Sequence, residues 1–109
     1  MVRKIEWAKS AWLDLDNIAE FISKDSQYYA ATFVLEILNA ARSLTKLSER
    51  GRIVPEYCDN NIRELIIGHY RLIYKLSKSK ILILTIIHGA RNLKRTKLRL
   101  NKLRIDHSN

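Results

Sequence analysis

The spacing of hydrophobic positions changes twice along the chain. Val2 to Trp7 alternates, with Val2, Lys4 and Glu6 on one side and Arg3, Ile5 and Trp7 on the other, which predicts a short first strand. From Ala8 the period lengthens. Ala8, Ala11, Trp12, Leu15, Ile18, Ala19 and Ile22 recur at helical spacing, one continuous face of an amphipathic helix. Ser10 is the expected N-cap, and Asp14 and Asp16 favour the early turns. Lys24-Asp25-Ser26 interrupts the pattern, and Ser26 or Asp25 caps a second helix. That helix is expected to bury Ala30, Phe33, Val34, Ile37, Ala41 and Leu44 and to stop before Gly51. Two antiparallel helices joined by so tight a turn make an αα-hairpin.

After Gly51 the period falls to two. Arg52 to Pro55 is short and ends in proline, which suits an edge strand. Ile62 to Ile67, Tyr70 to Leu76 and Ile81 to Ile87 are three further strands, turned at Gly68-His69 and at Ser77 to Lys80. The last of them is apolar on both faces, so it belongs in the middle of a sheet or under cover on both sides. The order β-α-α-β-β-β-β predicts an α+β domain, with the helical hairpin packed on one face of a twisted, mainly antiparallel sheet. With a tight Ser77–Lys80 turn, Arg71 falls opposite Ile86, on a face with Ile73, Lys75, Leu84 and His88. Tyr70, Leu72 and Tyr74 then share the other face with Ile83, Thr85 and Ile87, while Arg63 and Glu64 point to opposite sides. A slip of one residue in either turn would exchange the two sets.

Composition narrows the class. In 109 residues, 47% hydrophobic and 28% charged, there is room for one domain with a real core. Cys58 is the only cysteine, which excludes an internal disulfide and multi-cysteine zinc sites. The longest apolar run, Ile81 to Ile87, falls far short of the roughly 20 residues that span a bilayer. The N-terminus, Met-Val-Arg-Lys-Ile-Glu-Trp, carries charge where a signal peptide is apolar. Gly51, Gly68 and Gly89 are too scattered to form a phosphate-binding loop. A small cytoplasmic protein, with no cofactor, no metal and no membrane partner, is expected.

Charge adds a direction. The formal net charge is +9, which points towards a polyanion or an acidic protein as partner. Residues 1–89 hold thirteen basic and ten acidic side chains, whereas residues 90–109 hold seven basic ones against Asp106 alone. The expected organisation is a domain over residues 1–92 and a basic C-terminal extension over 93–109. In that extension Leu93, Leu100 and Leu103 share a helical face, with Leu98 and Ile105 on the far side, so no clean apolar stripe results. The candidate chemistry lies nearby. Arg63, Arg71, His88 and Arg91 converge near the ends of the last three strands, where cations could hold a phosphate and a histidine could move a proton. The alternative is structural: Arg71 pairs with Glu64 or Glu56, and His88 simply ends a strand. Cys58, in the polar loop Tyr57-Cys58-Asp59-Asn60-Asn61, makes a poor nucleophile, and no carboxylate pair for acid–base work stands out.

Four blocks in order carry a resemblance: Gly51-Arg52-Ile53-Val54-Pro55-Glu56, Asn61-Ile62-Arg63-Glu64-Leu65, Tyr70-Arg71-Leu72-Ile73-Tyr74 and Ile87-His88-Gly89-Ala90-Arg91. Together they resemble the RelE/ParE superfamily of bacterial toxins from type II toxin–antitoxin modules, from the strand ending at Trp7 to about Leu93. The resemblance implies a toxin neutralised by a ParD- or RelB-like antitoxin whose toxin-binding segment is acidic. That segment is expected on the exposed sheet face and near the tail, where cationic and apolar surface coincide. RelE-like members cut messenger RNA on the ribosome, whereas ParE-like members poison DNA gyrase. Gly-Arg-Ile-Val-Pro-Glu and the ending His-Gly-Ala-Arg look more like ParE-type and plasmid-stabilisation members, which implies growth arrest through gyrase.

The ribosome-dependent endoribonuclease is the alternative, without a metal. It would use Arg71, which matches the family's arginine, together with His88 and Arg91. Arg91 stands close to where some relatives place a catalytic histidine, yet it cannot act as a base. The terminal Tyr or His-Tyr pair of RelE-like toxins is missing. Arg63, Arg71, Arg91, Lys94 and Arg95 are the residues implied to bind phosphate or the target.

Overall fold

The structure is a computed structural model that describes residues 2–89. Its elements run β1 (Lys4–Trp7), α1 (Lys9–Ser23), α2 (Gln27–Ser43), β2 (Arg52–Ile53), β3 (Ile62–Ile67), β4 (Tyr70–Leu76) and β5 (Lys80–His88). The five strands form one sheet in the order β1-β5-β4-β3-β2. β1 runs parallel to β5, and the other neighbours are antiparallel. β5, apolar from Ile81 to Ile87 except for Thr85, is an interior strand with β1 and β4 on either side, and the two-residue β2 lies at the edge.

The hairpin forms where the polar break predicts it. Ser26 caps α2 by accepting a hydrogen bond from the Tyr29 backbone N–H at 3.1 Å. Ser10, however, is not the N-cap of α1. α1 starts two residues earlier, after an extended Ala8 whose N–H is bonded to the Ile83 carbonyl at 2.9 Å. β1 pairs with β5 only as far as Trp7 opposite Ile83, so the outward backbone of β5 beyond that point needs other partners. Ser10 and Asp14 supply them. The Ser10 hydroxyl donates to the Leu84 carbonyl at 3.0 Å, and the Asp14 carboxylate accepts from Thr85 Oγ1 and from the Ile86 N–H at 3.2 Å. Residues expected to start a helix instead finish a sheet. Trp12, expected on the buried face, stays 44% exposed and stacks on Trp7 with ring centroids 4.2 Å apart.

Both faces of the sheet are closed by apolar side chains. Ala11, Leu15, Ile37, Ala41 and Leu44 of the helical layer bury against Leu65, Leu72, Tyr74, Leu76, Ile81, Ile83 and Ile86. On the far face Val54 and Tyr57, just past β2, form a second cluster with Ile62, Ile73, Leu84 and Ile87. The sheet face expected to be bare is therefore filled in its middle.

A bulge decides which side chains go where. Ile73 lies opposite Thr85 and Tyr74 opposite Ile83, so Leu84 is an extra residue in β5 and the parity of the strand flips beyond it. Arg71 consequently faces Ile87, not Ile86, and His88 pairs with Tyr70 rather than sharing the side of Arg71. Ile86 joins the helix-side core and Ile87 the far cluster, the reverse of what a regular hairpin predicts.

Tyr74 ties the helical layer's exit to the sheet. Its hydroxyl accepts from the Gly51 N–H at 3.0 Å and donates to the Ser48 carbonyl at 2.9 Å. A Cβ at Gly51 would stand 2.5 Å from that oxygen and 2.8 Å from the Glu64 carbonyl, so no other residue fits there without moving β3. Gly68 serves differently: its φ of 59° lets the chain reverse between β3 and β4.

Candidate functional site: a caged arginine at the floor of an open cleft

Pairing of β3 with β4 places Glu64 opposite Ile73 and Arg71 opposite Ile66, which puts both charged side chains on one face as diagonal neighbours. The edge strand β2 then brings Arg52 directly opposite Glu64. The result is a fork of two arginines on one carboxylate. Arg71 Nε donates to Glu64 Oε1 at 2.6 Å and Arg52 Nε donates to Oε2 at 2.5 Å. Arg71 makes a second contact with the same carboxylate through its Nη2. That nitrogen also donates to Glu56 Oε1 at 3.2 Å. The Glu64 side chain is wholly buried and that of Arg71 is 5% exposed, whereas Arg52 and Glu56 lie at the rim.

Burial makes this network consequential. A lone charge at that depth costs several kcal/mol to desolvate, so Glu64 and Arg71 are tolerable only together. Each also satisfies the other's hydrogen-bonding groups in a fixed planar geometry that lysine could not reproduce.

The network floors a cleft of about 480 Å³ whose walls include His69, Tyr70 and His88. The imidazole planes of His69 and His88 lie within 14° of parallel, with centroids 6.3 Å apart. Tyr70 meets His88 edge-on at 5.4 Å and leans on Phe33 of α2 at 4.9 Å, so the cleft wall is braced by the helical layer. The Gly89 N–H bonds to the His69 carbonyl at 2.7 Å, which holds the end of β5 against the β3–β4 turn.

Arg71 and His88 thus meet in one cleft, although not on one face of a strand. Arg63 does not join them. It points to the helix side and donates through Nη1 to the carbonyls of Gly51 at 3.0 Å and Glu49 at 3.3 Å. Arg91, Lys94 and Arg95 lie outside the described residues. Of the two roles open to Arg71, the geometry displays the pairing one, with Glu64 and Glu56 both engaged. Three cleft residues carried no signal as a group in the sequence. Arg52 and Glu64 become neighbours only through the β2–β3 register, and His69 reads as a turn residue. The sequence offered Glu64 or Glu56 as the partner of Arg71, and the structure engages both at once. Cys58 is exposed and stands apart from the cleft lining. Among the described residues, no group of three or more His, Cys, Asp or Glu side chains is placed to hold a metal ion.

A family model described as the ParE toxin of type II toxin–antitoxin systems, parDE, matches residues 5–93. The chain belongs to the ParE toxin family. No curated protein sequence matches it. The ParE-type fold is nevertheless plain among solved structures. The chain is similar to the chromosomal ParDE toxin–antitoxin system from P. aeruginosa, with a TM-score of 0.66 and 20% identity over 80% of this chain and 96% of that one. It is also similar to the toxin–antitoxin complex RelBE2 from Mycobacterium tuberculosis, with a TM-score of 0.59 and 17% identity over 81% of this chain and 99% of that one. At such identities the likeness speaks to the fold: two helices on a five-stranded mixed sheet. No helix of this ParE-family chain, among its described residues, is long and apolar enough to cross a membrane.

Proposed function

We propose that this chain is a cytoplasmic growth-arrest toxin that poisons DNA gyrase by binding it, and that a cognate antitoxin holds it inactive until released. The observation that carries the gyrase reading is the state of Arg71. Cleavage of RNA needs a cation free to take up charge on the phosphate and groups that move protons at the 2′-hydroxyl and the leaving oxygen. Arg71, the cation that would serve, is buried at 5% exposure and already neutralised by Glu64 and Glu56. A cleft built this way suits recognition of another protein better than it suits attack on a phosphodiester. Residues 93–109, with their basic charge, act in this reading as an arm that grips the acidic antitoxin or adds phosphate contacts at the target.

One observation favours the second reading, a RelE-like ribosome-dependent endoribonuclease. His69 and His88 stand side by side in the cleft that holds Arg71, so two imidazoles are present where protons would have to move. Primer extension on a message in a cell-free bacterial translation reaction separates the two. Intact message with translation continuing supports the gyrase reading, whereas cuts within codons that disappear in Arg71→Lys transfer the function to RNA cleavage.

A further inference from the structure

Arg71 is held by two carboxylates on unequal terms. Glu64 engages it at 2.6 Å from a wholly buried position and binds Arg52 with its other oxygen. Glu56 makes one contact with the guanidinium, at 3.2 Å, and its side chain is 37% exposed. It follows Pro55 in the stretch between β2 and β3, which has neither helix nor strand. The four ionic groups balance at two cations and two anions. If Glu56 swings out, one positive charge is left uncompensated at the floor of a cleft of about 480 Å³ that is open to solvent. A charge in that state strongly favours whatever anion can reach it.

We propose that Glu56 is an internal stand-in, and that the cleft over Arg71 takes one Asp or Glu side chain of an acidic partner peptide in exchange for it. The inference rests on reading the chain as a toxin held by an acidic antitoxin, and it names the contact. Exchange of one carboxylate for another conserves the charge-assisted hydrogen bond to Arg71, so little is lost when Glu56 leaves. The tethered competitor lowers apparent affinity by the fraction of time it occupies the cleft, and this keeps the bond to the partner releasable. Tyr70, His69 and Ile66 in the walls give a peptide apolar and hydrogen-bonding surface beside the anchor. A nucleic-acid strand fits less well. Its phosphates lie in the backbone itself, with no side-chain stem to carry one of them down to a guanidinium only 5% exposed.

The test is NMR on the isotopically labelled full chain, reading the Arg71 Nε–H resonance and the Glu56 carboxylate carbon. Hexaglutamate and hexathymidylate are titrated separately at fixed ionic strength. Hexaglutamate is expected to shift both signals and move the Glu56 carbon towards its solvated position. Hexathymidylate is expected to leave both in place. In Glu56→Gln, checked for an unchanged melting profile, hexaglutamate affinity should rise roughly 5-fold as the internal competitor is removed. Unmoved Arg71 and Glu56 signals under hexaglutamate overturn the exchange, as does unchanged affinity in Glu56→Gln. Equal shifts under hexathymidylate overturn it too and make the cleft a phosphate site. Growth arrest on expression, relieved by the partner gene, is measured independently. A chain that arrests growth and is relieved, yet shows no shift at Arg71, keeps the toxin reading and loses the exchange.

Discussion

Arg71 and Glu64 face each other across neighbouring strands at 2.6 Å, with 5% and 0% of their side chains exposed. Removal of either one leaves the other charged, buried and without its main partner. Arg71→Met or Glu64→Leu is therefore expected to cost about 3–5 kcal/mol of stability. The pair Arg71→Met with Glu64→Leu should cost much less than the sum of the single changes, because it removes both charges together. Urea unfolding of the four proteins checks this. Additive losses would mean that the two groups are not coupled.

Tyr74 gives a prediction with a pH signature. Burial raises its phenol above the ordinary value near 10, against smaller pulls downward from the Gly51 N–H and Arg63. The folded state therefore binds this proton more tightly than the unfolded chain does. Its contribution to stability is fully present below pH 10 or so and is lost as pH rises through the folded value. Tyr74→Phe should cost about 1–3 kcal/mol at neutral pH, since Gly51 N–H and the Ser48 carbonyl lose their partner. The variant should also lose less stability than the parent between pH 9 and pH 12, roughly the range in which tyrosine titrates. Thermal melts across that range read both effects.

Asp14 is expected to matter for the sheet rather than for the helix that carries it. Asp14→Ala strips partners from the Ile86 N–H and Thr85 hydroxyl and should cost about 1–3 kcal/mol. Hydrogen exchange should locate the loss, with the Ile86 amide losing more protection than the amides in the middle of α1. Uniform loss along α1 would contradict this placement.

Much of this architecture was legible because each element carries its own period. β3 and β4 fall at the bounds that alternation predicts, the structure takes Ser26 from the two caps the sequence offered, Ser26 and Asp25, and the interior place of β5 follows from its apolar run. What alternation could not supply was the extra residue in β5. Nothing in Ile-Leu-Ile-Leu-Thr-Ile-Ile distinguishes Leu84 from its neighbours, since every position is fit for burial on either face. The bulge emerges only when β4 and β5 are paired, and it turns Ile86, Ile87 and His88 over relative to Arg71. Ser10 and Asp14 misled for a related reason. Their side chains suit a helix start, but the short β1 leaves backbone groups of β5 open, and that tertiary need takes them. At the site, Arg71 and its acidic partners could be named from the blocks. The fork with Arg52 could not, because it depends on the register of a strand only two residues long.

The central claim is that this ParE-family chain acts on gyrase by binding. It is tested most directly by incubating the purified full chain with DNA gyrase, ATP and relaxed plasmid, then stopping the reaction with detergent and protease. The account predicts loss of supercoiling and a dose-dependent rise in linear plasmid. It also predicts that added antitoxin prevents both. Undiminished supercoiling with no linear product, at concentrations that stop growth in cells, would contradict it.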